Sequence, residues 1–409
     1  MSKLPSRLQP LWPVAKRVHR LLTFVVGLLA RATRRWQGER AVPRGAVETV
    51  DRWRAGSGVT VHGLGSEKDL GRTPPPGEPA GHWVFSRPDR HTAPRTYCLE
   101  VEGGTVVGGT GAIISRDGLL DFESSPYFGV PTWREHPLYL RGRLPRVEHV
   151  DGDLAVLTTR GGGNYYHFII DVLPRLGVLR DALPGRLPDA VHVPDAAPWQ
   201  RELLAMAGLG GVRLVGDDPQ VSVRADRLLV PSLPNANETA PPSVVGWVRE
   251  HLRPTEDAPQ GPLRLYVTRG DRPNTRRVVR EAELWPLLEE RGFMRVDPGT
   301  LGPQQQVDVF SAAEIVVGPH GAALTNVVHA PPGVAVLELF TAAYVNQCYW
   351  SICQSVPDAR YEYLIDGDVS RHGPGDPMNA ILADIDVDPA RVVAAVDRLL
   401  QGRPRGRGA

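Results

Sequence analysis

The residues that could do chemistry fall into short clusters that follow predicted strands. The segment GGGNYYHFIIDVLPRL (161–176) places His167, Asp171 and Arg175 four residues apart, and therefore on one face of a helix. A carboxylate can orient an imidazole that takes the proton of a hydroxyl group, so His167 and Asp171 predict general-base catalysis. Two alternatives stay open: Asp171 is itself the base, or the pair is a buried polar contact that holds the helix to its neighbours.

A second cluster is the segment VVGPHGAALTN (316–326), which contains His320 within the sequence Gly-Pro-His-Gly. Its branched apolar residues predict a strand, and the small residues after Gly321 predict a helix that begins at Ala322. The backbone N–H groups and the positive end of such a helix attract anions, which favours a phosphate or sugar contact over a purely structural histidine. The candidate ligand contacts here are His320, Gly321, Thr325 and Asn326.

Arginines and one carboxylate complete the set of candidates. In YVTRGDRPNTRRVVREAEL (266–284), Arg269 ends a predicted strand and Arg277 follows in a polar loop. Guanidinium groups bind phosphate oxygens in pairs, so both are candidate diphosphate ligands, with solvated surface arginines as the alternative. Glu338 ends the otherwise apolar strand VAVLELF (334–340), where a carboxylate suits either a ribose hydroxyl or a structural salt bridge.

The elements that must position these residues alternate regularly in the second half of the chain. From residue 263 to residue 400, apolar strand-like runs alternate with helical patterns. This alternation predicts a parallel sheet covered by helices on both faces, with ligands beyond the carboxyl ends of the strands. The first half contains short strands at 97–123 and a strand, bend and helix at 154–183. The turn-rich segment 234–243 marks a boundary, which predicts domains at 46–240 and 241–409.

Composition excludes several classes of protein. The hydrophobic fraction of 42% and the charged fraction of 23% are those of a folded soluble protein, and a net charge of +1 gives no electrostatic case for nucleic acid. Three cysteines without metal-ligand spacing predict reduced core thiols in a cytoplasmic protein. The two Asp-Gly-Asp segments, 151–153 and 366–368, read as turns in preference to metal ligands.

The first 45 residues differ from the rest of the chain. Basic ends surround an apolar run at 21–30, which is about half of the ~20 residues that span a bilayer. Apolar residues recur at helical spacing between 14 and 29, with arginines on either side. We expect a basic amphipathic helix over 13–36 that lies on an anionic membrane surface, with a solvated or partner-packed helix as the alternative.

Four of these blocks, in this order, resemble glycosyltransferase family 61, the group of plant xylan arabinosyl- and xylosyltransferases and animal O-linked N-acetylglucosaminyltransferases. The resemblance runs from about residue 97 to 345 and rests on NYYHFIIDVLPRL, on YVTR followed by TRRVVREAEL, on PQQQVDVFSAAEIVVGPHGAALTN and on PPGVAVLELF. One departure is Arg280-Glu281, where the family usually has Asn-Glu. Family members outside the cytoplasm carry disulfides and targeting that this sequence lacks, so the resemblance points to a bacterial enzyme at the inner face of the plasma membrane.

The resemblance implies two Rossmann-like α/β domains that face each other across a cleft (GT-B type), with a β-rich N-terminal part and an N-terminal amphipathic helix. It implies inverting transfer of a sugar from a nucleotide sugar, with UDP as the expected carrier. The acceptor would be a hydroxyl of a capsular or cell-envelope glycan or of a lipid-linked glycan.

In the same scheme residues 46–240 contact the acceptor through His167 or Asp171, and residues 241–409 bind the donor. The donor-side residues would be Arg269 and Arg277 at the diphosphate, His320 and Gly321 nearby, and Glu338 at the ribose. No cofactor is required, and Mn²⁺ or Mg²⁺ would be compatible but is not expected. Two other functions fit a similar layout: polysaccharide pyruvyl transfer, and a non-catalytic membrane-associated assembly protein with a transferase fold.

Overall fold

The structure, a computed structural model, describes residues 12–87, 91–127, 130–195, 197–235, 238–270, 276–371 and 383–402. The chain forms two compact units. The N-terminal unit comprises Met1–Glu67 and Pro94–Pro234, and the C-terminal unit comprises Lys68–Ala93 and Asn235–Ala409. Both units are mixed α/β structures, as the alternating pattern predicted for the second half.

The regular elements of the described residues are as follows. The strands are β1 Gly45–Val47, β2 Val59–Gly65, β3 Lys68–Asp69, β4 Gly77–Glu78, β5 Thr92–Ala93, β6 Thr96–Glu102, β7 Thr105–Val107, β8 Ala112–Ile114, β9 Leu119–Asp121, β10 Arg146–Val156, β11 Ala190–Val193, β12 Arg213–Gly216, β13 Val221–Pro231, β14 Leu263–Val267, β15 Phe293–Val296, β16 Ala313–Pro319, β17 Ala335–Thr341 and β18 Arg360–Asp366. The α-helices are α1 Trp12–Ala32, α2 Tyr165–His167, α3 Arg175–Ala182, α4 Pro198–Leu204, α5 Pro242–His251, α6 Glu281–Glu289, α7 Pro303–Ser311, α8 Cys348–Cys353 and α9 Pro389–Gln401. Phe168–Val172 and Ala205–Leu209 are π-helical, and 3₁₀ turns cover Arg34–Trp36, Gly38–Arg40, Val50–Arg52, Trp83–Ser86, Trp133–Glu135, Pro137–Arg141, Pro298–Thr300, Ala322–His329 and Val369–Arg371.

The C-terminal unit is built on a parallel sheet whose strand order changes direction beside β14. The order is β15-β14-β16-β17-β18-β4, and every neighbouring pair is parallel. After β14 the chain adds β15 on one side, and it then returns to add β16, β17 and β18 on the other. The carboxyl ends of β14 and β16 therefore form a topological switch point, where ligands of such sheets bind.

The two faces of this sheet bury different side chains because neighbouring residues of a strand point to opposite faces. Ile315, Val317, Leu337 and Leu339 belong to an apolar core together with residues of α6 and α9. The alternate positions of β17 and β18 place Glu338, Phe340, Tyr361 and Tyr363 on the opposite face. One face of the sheet is therefore a plain hydrophobic core, and the other contains buried polar groups.

The N-terminal unit contains a ten-stranded mixed sheet. Its order is β1-β9-β8-β7-β13-β10-β11-β12, with β6 paired to β13 and β2 paired to β6. The segment β13-β10-β11-β12 is parallel, and β10 continues through α2 and α3 to β11. Since β11 lies on one side of β10 and β13 on the other, the carboxyl ends of β10 and β13 form a second switch point.

The helix α1 packs on the N-terminal unit through small residues. Thr23 and Ala30 are buried, and a Cβ at Gly27 would lie 3.0 Å from the Cβ of Tyr139. Arg20 forms an ion pair with Glu135. Within the described part of the chain, no helix combines the length and the apolar character that crossing a bilayer requires. The membrane-surface role of this segment stays a prediction.

Three details differ from the sequence-based expectations. Residues 68–93, expected within the domain 46–240, belong to the C-terminal unit because β4 pairs with β18 and Phe85 stacks on Tyr363 at 4.7 Å. The expected α-helix after Gly321 is a 3₁₀ helix, Ala322–His329. The chain passes to the C-terminal unit at Pro234, whereas the turn-rich segment placed the boundary at residue 240. The facing arrangement of two domains stays a prediction.

Candidate active site

His320 lies at the carboxyl end of β16, and its imidazole contacts a buried carboxylate. Its Nδ1 is 2.5 Å from Oε1 of Glu338, and the Tyr361 hydroxyl donates to Oε2 of Glu338 at 2.5 Å. Glu338 is fully buried and is the fourth of the seven residues of β17, not its last residue. Both carboxylate oxygens of Glu338 thus have a protein partner, and Nε2 is the ring nitrogen of His320 that Glu338 does not engage.

The same surroundings determine the charge of this pair. Burial lowers the pKa of His320 well below its ordinary value, and the neighbouring Arg276 and Arg269 guanidinium groups lower it further. Burial raises the pKa of Glu338 well above its ordinary value, against the opposing effect of the Tyr361 hydrogen bond. The imidazole is therefore uncharged at neutral pH, and positive charge near it comes from the arginines.

Two arginines lie directly beside His320. Arg276 donates from Nε to the His320 carbonyl oxygen at 2.8 Å, and its Cζ is 5.3 Å from the centre of the Tyr344 ring. Arg269 follows β14, and its guanidinium lies against Gly321. Guanidinium groups at the carboxyl edge of a parallel sheet can bind phosphate oxygens in pairs.

The glycines of the Gly-Pro-His-Gly segment leave room for close contacts and do not serve a left-handed backbone angle. A Cβ at Gly321 would overlap Nη1 of Arg269 and would lie 2.9 Å from its Cζ. A Cβ at Gly318 would lie 2.9 Å from the Cβ of Val267. The φ of Gly321, 168°, is extended and open to any residue. These glycines therefore allow β14, β16 and Arg269 to approach one another.

The structure separates the two adjacent arginines of the loop. Arg277 donates from Nη2 to Asp384 at 3.1 Å, and its backbone N–H donates to the same carboxylate at 2.9 Å. The backbone then pairs with residue 385, which turns Arg277 away from its neighbour. The sequence analysis selected Arg277 and not Arg276, because sequence alone gives no register for these two neighbouring arginines.

The position that departs from the family pattern lies at the start of α6. Arg280 pairs with Glu283 at 2.5 Å and with Asp388 at 3.6 Å. Glu281 accepts from the hydroxyl of Thr268, at 2.9 and 3.0 Å, immediately before Arg269. Glu281 thus stabilises the carboxyl end of β14 through Thr268.

Thr325 and Asn326 lie inside the unit. Both are fully buried on the 3₁₀ helix after Gly321. The Asn326 amide donates to Oε1 of Gln306 on α7 at 2.7 Å and to the Ala323 carbonyl at 3.0 Å. These contacts connect the 3₁₀ helix to α7, and the role of Thr325 and Asn326 as ligand contacts stays a prediction.

The N-terminal unit brings His167 and Asp171 together as the sequence spacing predicted. Nδ1 of His167 is 2.6 Å from Oδ2 of Asp171, and the Asp171 side chain is 7% exposed against 19% for His167. The pair spans the start of the π-helical turn Phe168–Val172, and such turns are frequent at functional sites. Gly161, at φ 91°, lies against the imidazole, so the glycine-rich bend shapes the same site.

Arg175 has a different role from its two neighbours in the sequence pattern. It is buried, and its guanidinium donates to the carbonyl oxygens of Pro231, at 2.9 and 2.5 Å, and of Thr158, at 2.8 Å. Burial lowers the pKa of Arg175 to about 10. Arg175 therefore joins the ends of β10 and β13 at the switch point.

The two Asp-Gly-Asp segments, both expected as turns, differ in the structure. Residues 151–153 lie within β10, where its pairing with β13 is irregular, and Asp153 accepts from Arg186 at 2.8 Å and from Arg227 at 2.7 Å. Residues 366–368 bend the chain at the end of β18, and Gly152 and Gly367 both have a positive φ, 81° and 91°. Among the residues that the structure describes, no three His, Cys, Asp or Glu side chains are grouped to hold a metal ion. Cys98, Cys348 and Cys353 are buried free thiols.

The part of the chain that contains His167 and His320 matches a known family. Residues 165–337 match the model of the family described as Glycosyltransferase 61. Over these residues the chain is similar to glycosyltransferase family 61. None of the curated proteins searched matches the chain.

The glycosyltransferase 61 match covers both halves of the geometry described above. It begins at Tyr165, two residues before His167, includes Arg269, Arg276 and His320, and ends one residue before Glu338. The protein is therefore a glycosyltransferase, with a sugar donor and an acceptor as its substrates. The match favours this activity over pyruvyl transfer and over a non-catalytic assembly role.

Proposed function

We propose that the protein is an inverting glycosyltransferase that uses a nucleotide sugar, with UDP as the expected carrier. The acceptor is a hydroxyl group of a capsular or cell-envelope glycan, or of a lipid-linked glycan, at the inner face of the plasma membrane. The observation that carries the donor assignment is the convergence of Arg269 and Arg276 on His320 and Gly321 at the switch point of β14 and β16.

On the donor side, each residue has a role that follows from its contacts. Arg269 and Arg276 neutralise the diphosphate and stabilise the negative charge that develops on it as the sugar leaves. Neutral His320 offers Nε2 as an acceptor to a hydroxyl group of the donor, and Glu338 fixes the ring through Nδ1. We assign Arg276 to the diphosphate in place of Arg277, and we assign Glu338 to positioning in place of ribose binding.

On the acceptor side, we propose His167 as the general base. Asp171 is the more enclosed member of the pair and holds Nδ1, so Nε2 of His167 is the atom that takes the acceptor proton. The hydroxyl oxygen then attacks the anomeric carbon, the bond from that carbon to the diphosphate breaks, and the configuration inverts. Arginines supply the cationic charge in this scheme, and a divalent metal is not required.

The test is a transfer assay with the full chain. Sugars linked to UDP, GDP and CMP are offered with aryl glycosides and lipid-linked glycans, with and without Mn²⁺ or Mg²⁺, and nucleotide release is measured. Proton NMR of the product gives the anomeric configuration. We expect one nucleotide sugar to be consumed in an acceptor-dependent reaction, without added metal and with inversion.

The proposal has two separate points of failure. A product with retained configuration would overturn the single displacement and the role of His167. Failure of every nucleotide sugar to bind, measured by calorimetry on the same sample, would overturn the donor assignment.

A further inference from the structure

The helix α1 presents two opposite faces with different chemistry. Its packed face consists of small or polar residues, with Thr23, Gly27 and Ala30 against the 3₁₀ turns Trp133–Glu135 and Pro137–Arg141. The opposite face consists of large apolar residues that are 44–64% exposed: Val14, Val18, Leu21, Leu22, Val25, Leu28 and Leu29. An aliphatic stripe of this size in water is unfavourable, so another surface is expected to cover it.

The charges around the stripe indicate what covers it. The first 38 residues contain eight Lys or Arg residues and no Asp or Glu. Beyond the end of α1, Trp36 is 69% exposed, with the Arg35 guanidinium 4.2 Å from its ring. Exposed tryptophan and arginine beside an aliphatic stripe are typical of a lipid–water interface. A second copy of the same helix would instead bring like charges together.

An arginine-lined cleft adjoins the end of α1. It has a volume of about 610 Å³ and is lined by Arg40, Arg141, Arg143, Leu144, Pro145, Arg146 and Gln220. The Gln37 amide donates to the Ala30 carbonyl at 2.8 Å and to the Gly142 carbonyl at 3.1 Å, which joins the helix to the cleft wall. Arg40 donates to the Leu144 carbonyl at 2.8 Å. Among the arginines that line the cleft, Arg146 forms an ion pair with Glu148 at 2.5 Å.

We propose that the outward face of α1 and the cleft of Arg40, Arg141, Arg143 and Arg146 form one docking surface for an anionic lipid bilayer. The aliphatic stripe inserts at the level of the headgroups, and the cleft binds the phosphates of anionic lipid headgroups. This inference does not rest on the donor or acceptor proposed above, since lipid binding is measured without any sugar nucleotide.

The experiment is vesicle sedimentation of the full chain. Vesicles of phosphatidylcholine alone are compared with vesicles containing about one third phosphatidylglycerol or phosphatidylserine, at low and high salt. We expect strong binding to the anionic vesicles only, weakened by salt because the charge contribution is screened. This arm requires no variant.

Two pairs of variants assign the two parts of the surface. Leu21→Glu with Leu28→Glu places charge in the stripe and should reduce the partition coefficient more than tenfold. Its control is Leu187→Glu, the same change at a leucine that is 85% exposed elsewhere on the unit. Arg141→Ala with Arg143→Ala should lower partition on the order of 25-fold, about fivefold for each lost arginine near the surface. Its control is Arg54→Ala with Arg213→Ala, two exposed arginines outside the cleft.

Specific results would overturn the proposal. Equal binding to neutral and anionic vesicles would remove the phosphate role of the cleft, and so would equal losses in the cleft and control arginine pairs. Displacement from vesicles by millimolar inorganic phosphate at constant ionic strength would identify a site for free phosphate instead. Dimerisation that the Leu21→Glu, Leu28→Glu variant abolishes, without vesicle binding, would show that a second copy covers the stripe.

Discussion

The residues at the carboxyl edge of the C-terminal sheet lie in close contact with one another. Gly321 contacts the Arg269 guanidinium, Gly318 contacts Val267, and three aromatic rings, those of Phe340, Tyr344 and Tyr349, lie 5.1–5.2 Å from the His320 ring. Because the atom nearest Gly321 is the end of a flexible arginine, an added methyl group should displace the guanidinium without unfolding the sheet.

Gly321→Ala should therefore weaken nucleotide binding by more than tenfold, about 1.4 kcal/mol, and leave the melting temperature nearly unchanged. Calorimetry and thermal denaturation measure the two effects on one sample. The matched control is Gly246→Ala on an exposed position of α5, where a Cβ would meet no atom within 4 Å. That control should bind normally and gain about 0.5–1 kcal/mol of stability. Normal binding by Gly321→Ala would contradict the placement of Arg269.

His167→Ala should lower kcat by roughly 10²- to 10⁴-fold and leave donor affinity unchanged, because a general base contributes to the transition state. Asp171→Asn should lower kcat less. Because the two residues act as a unit, the double variant should cost about as much as His167→Ala alone. His149→Ala, with a side chain 56% exposed, is the control. Additive losses in the double variant would show that Asp171 acts separately.

At this scale the sequence predicted the types of residue better than their contacts. The spacing of His167 and Asp171 was enough to predict their pairing, since four residues make one helical turn. The sequence could not decide which of Arg276 and Arg277 lies beside His320. That choice depends on a backbone pairing between residues 278 and 385, which are far apart in the sequence. Glu338 was recognised as unusual in an apolar strand, but its partner Tyr361 lies on the next strand and could not be identified from local pattern.

At the scale of elements, the N-terminal site depends on how β10, β13 and the following helix are joined. Arg175 donates two hydrogen bonds to the carbonyl oxygen of Pro231, the last residue of β13. It donates a third to the carbonyl oxygen of Thr158, two residues after β10. The π-helical turn Phe168–Val172 lies between Arg175 and His167. A change in Arg175 should therefore affect the whole site through the strand ends, not through a contact with substrate.

Arg175→Ala should reduce the free energy of unfolding by roughly 2–5 kcal/mol, because two buried carbonyl groups lose their donor and a cavity opens. Denaturant unfolding followed by circular dichroism measures this change. Arg180→Ala, at an exposed position of the same helix, is the control and should stay within about 0.5 kcal/mol of the parent. A stable Arg175→Ala protein that has lost only turnover would show a direct role in the reaction.

The elements of the C-terminal unit were largely predictable because each strand of a parallel sheet is a continuous apolar run between helical patterns. The strands β14–β18 begin and end within two residues of the apolar runs in the sequence, 263–269, 293–298, 314–318, 334–340 and 361–366. The 3₁₀ form of Ala322–His329 and the membership of residues 68–93 were not predictable, since both depend on tertiary packing. The short strand β4 has only two residues, too few for a sequence period.

At the scale of the whole molecule, several buried histidines connect stability to pH. Burial lowers the pKa of His136 to about 4, of His192 to about 4 and of His329 to about 3. Nδ1 of His136 accepts from the Leu138 N–H at 3.2 Å, which requires an unprotonated nitrogen. A histidine with a lowered folded pKa contributes stability above its unfolded pKa of 6.5 and loses it as pH falls.

Two carboxylates act in the opposite direction: burial raises the pKa of Asp217 to about 6 and the pKa of Glu338 well above its ordinary value. The proton that unfolded His320 gains offsets the proton that unfolded Glu338 loses, so His136, His192 and His329 against Asp217 leave an uptake of about two protons on unfolding near pH 5.5. The free energy of unfolding should therefore fall by roughly 2–3 kcal/mol per pH unit below pH 6.5. Denaturant unfolding at pH 7.5, 6.5 and 5.5 tests this, and constant or rising stability would contradict the burial of neutral histidines.

The most direct test of the central claim is calorimetric titration of UDP, GDP and CMP into the parent protein, Arg276→Ala and Arg277→Ala. The two adjacent arginines are a matched pair, one on the His320 carbonyl and one on Asp384. We expect one nucleotide to bind the parent, Arg276→Ala to weaken it more than tenfold, and Arg277→Ala to stay within about threefold. Loss of binding in Arg277→Ala with normal binding in Arg276→Ala, or no binding by any nucleotide, would contradict a donor site at the β14–β16 switch point.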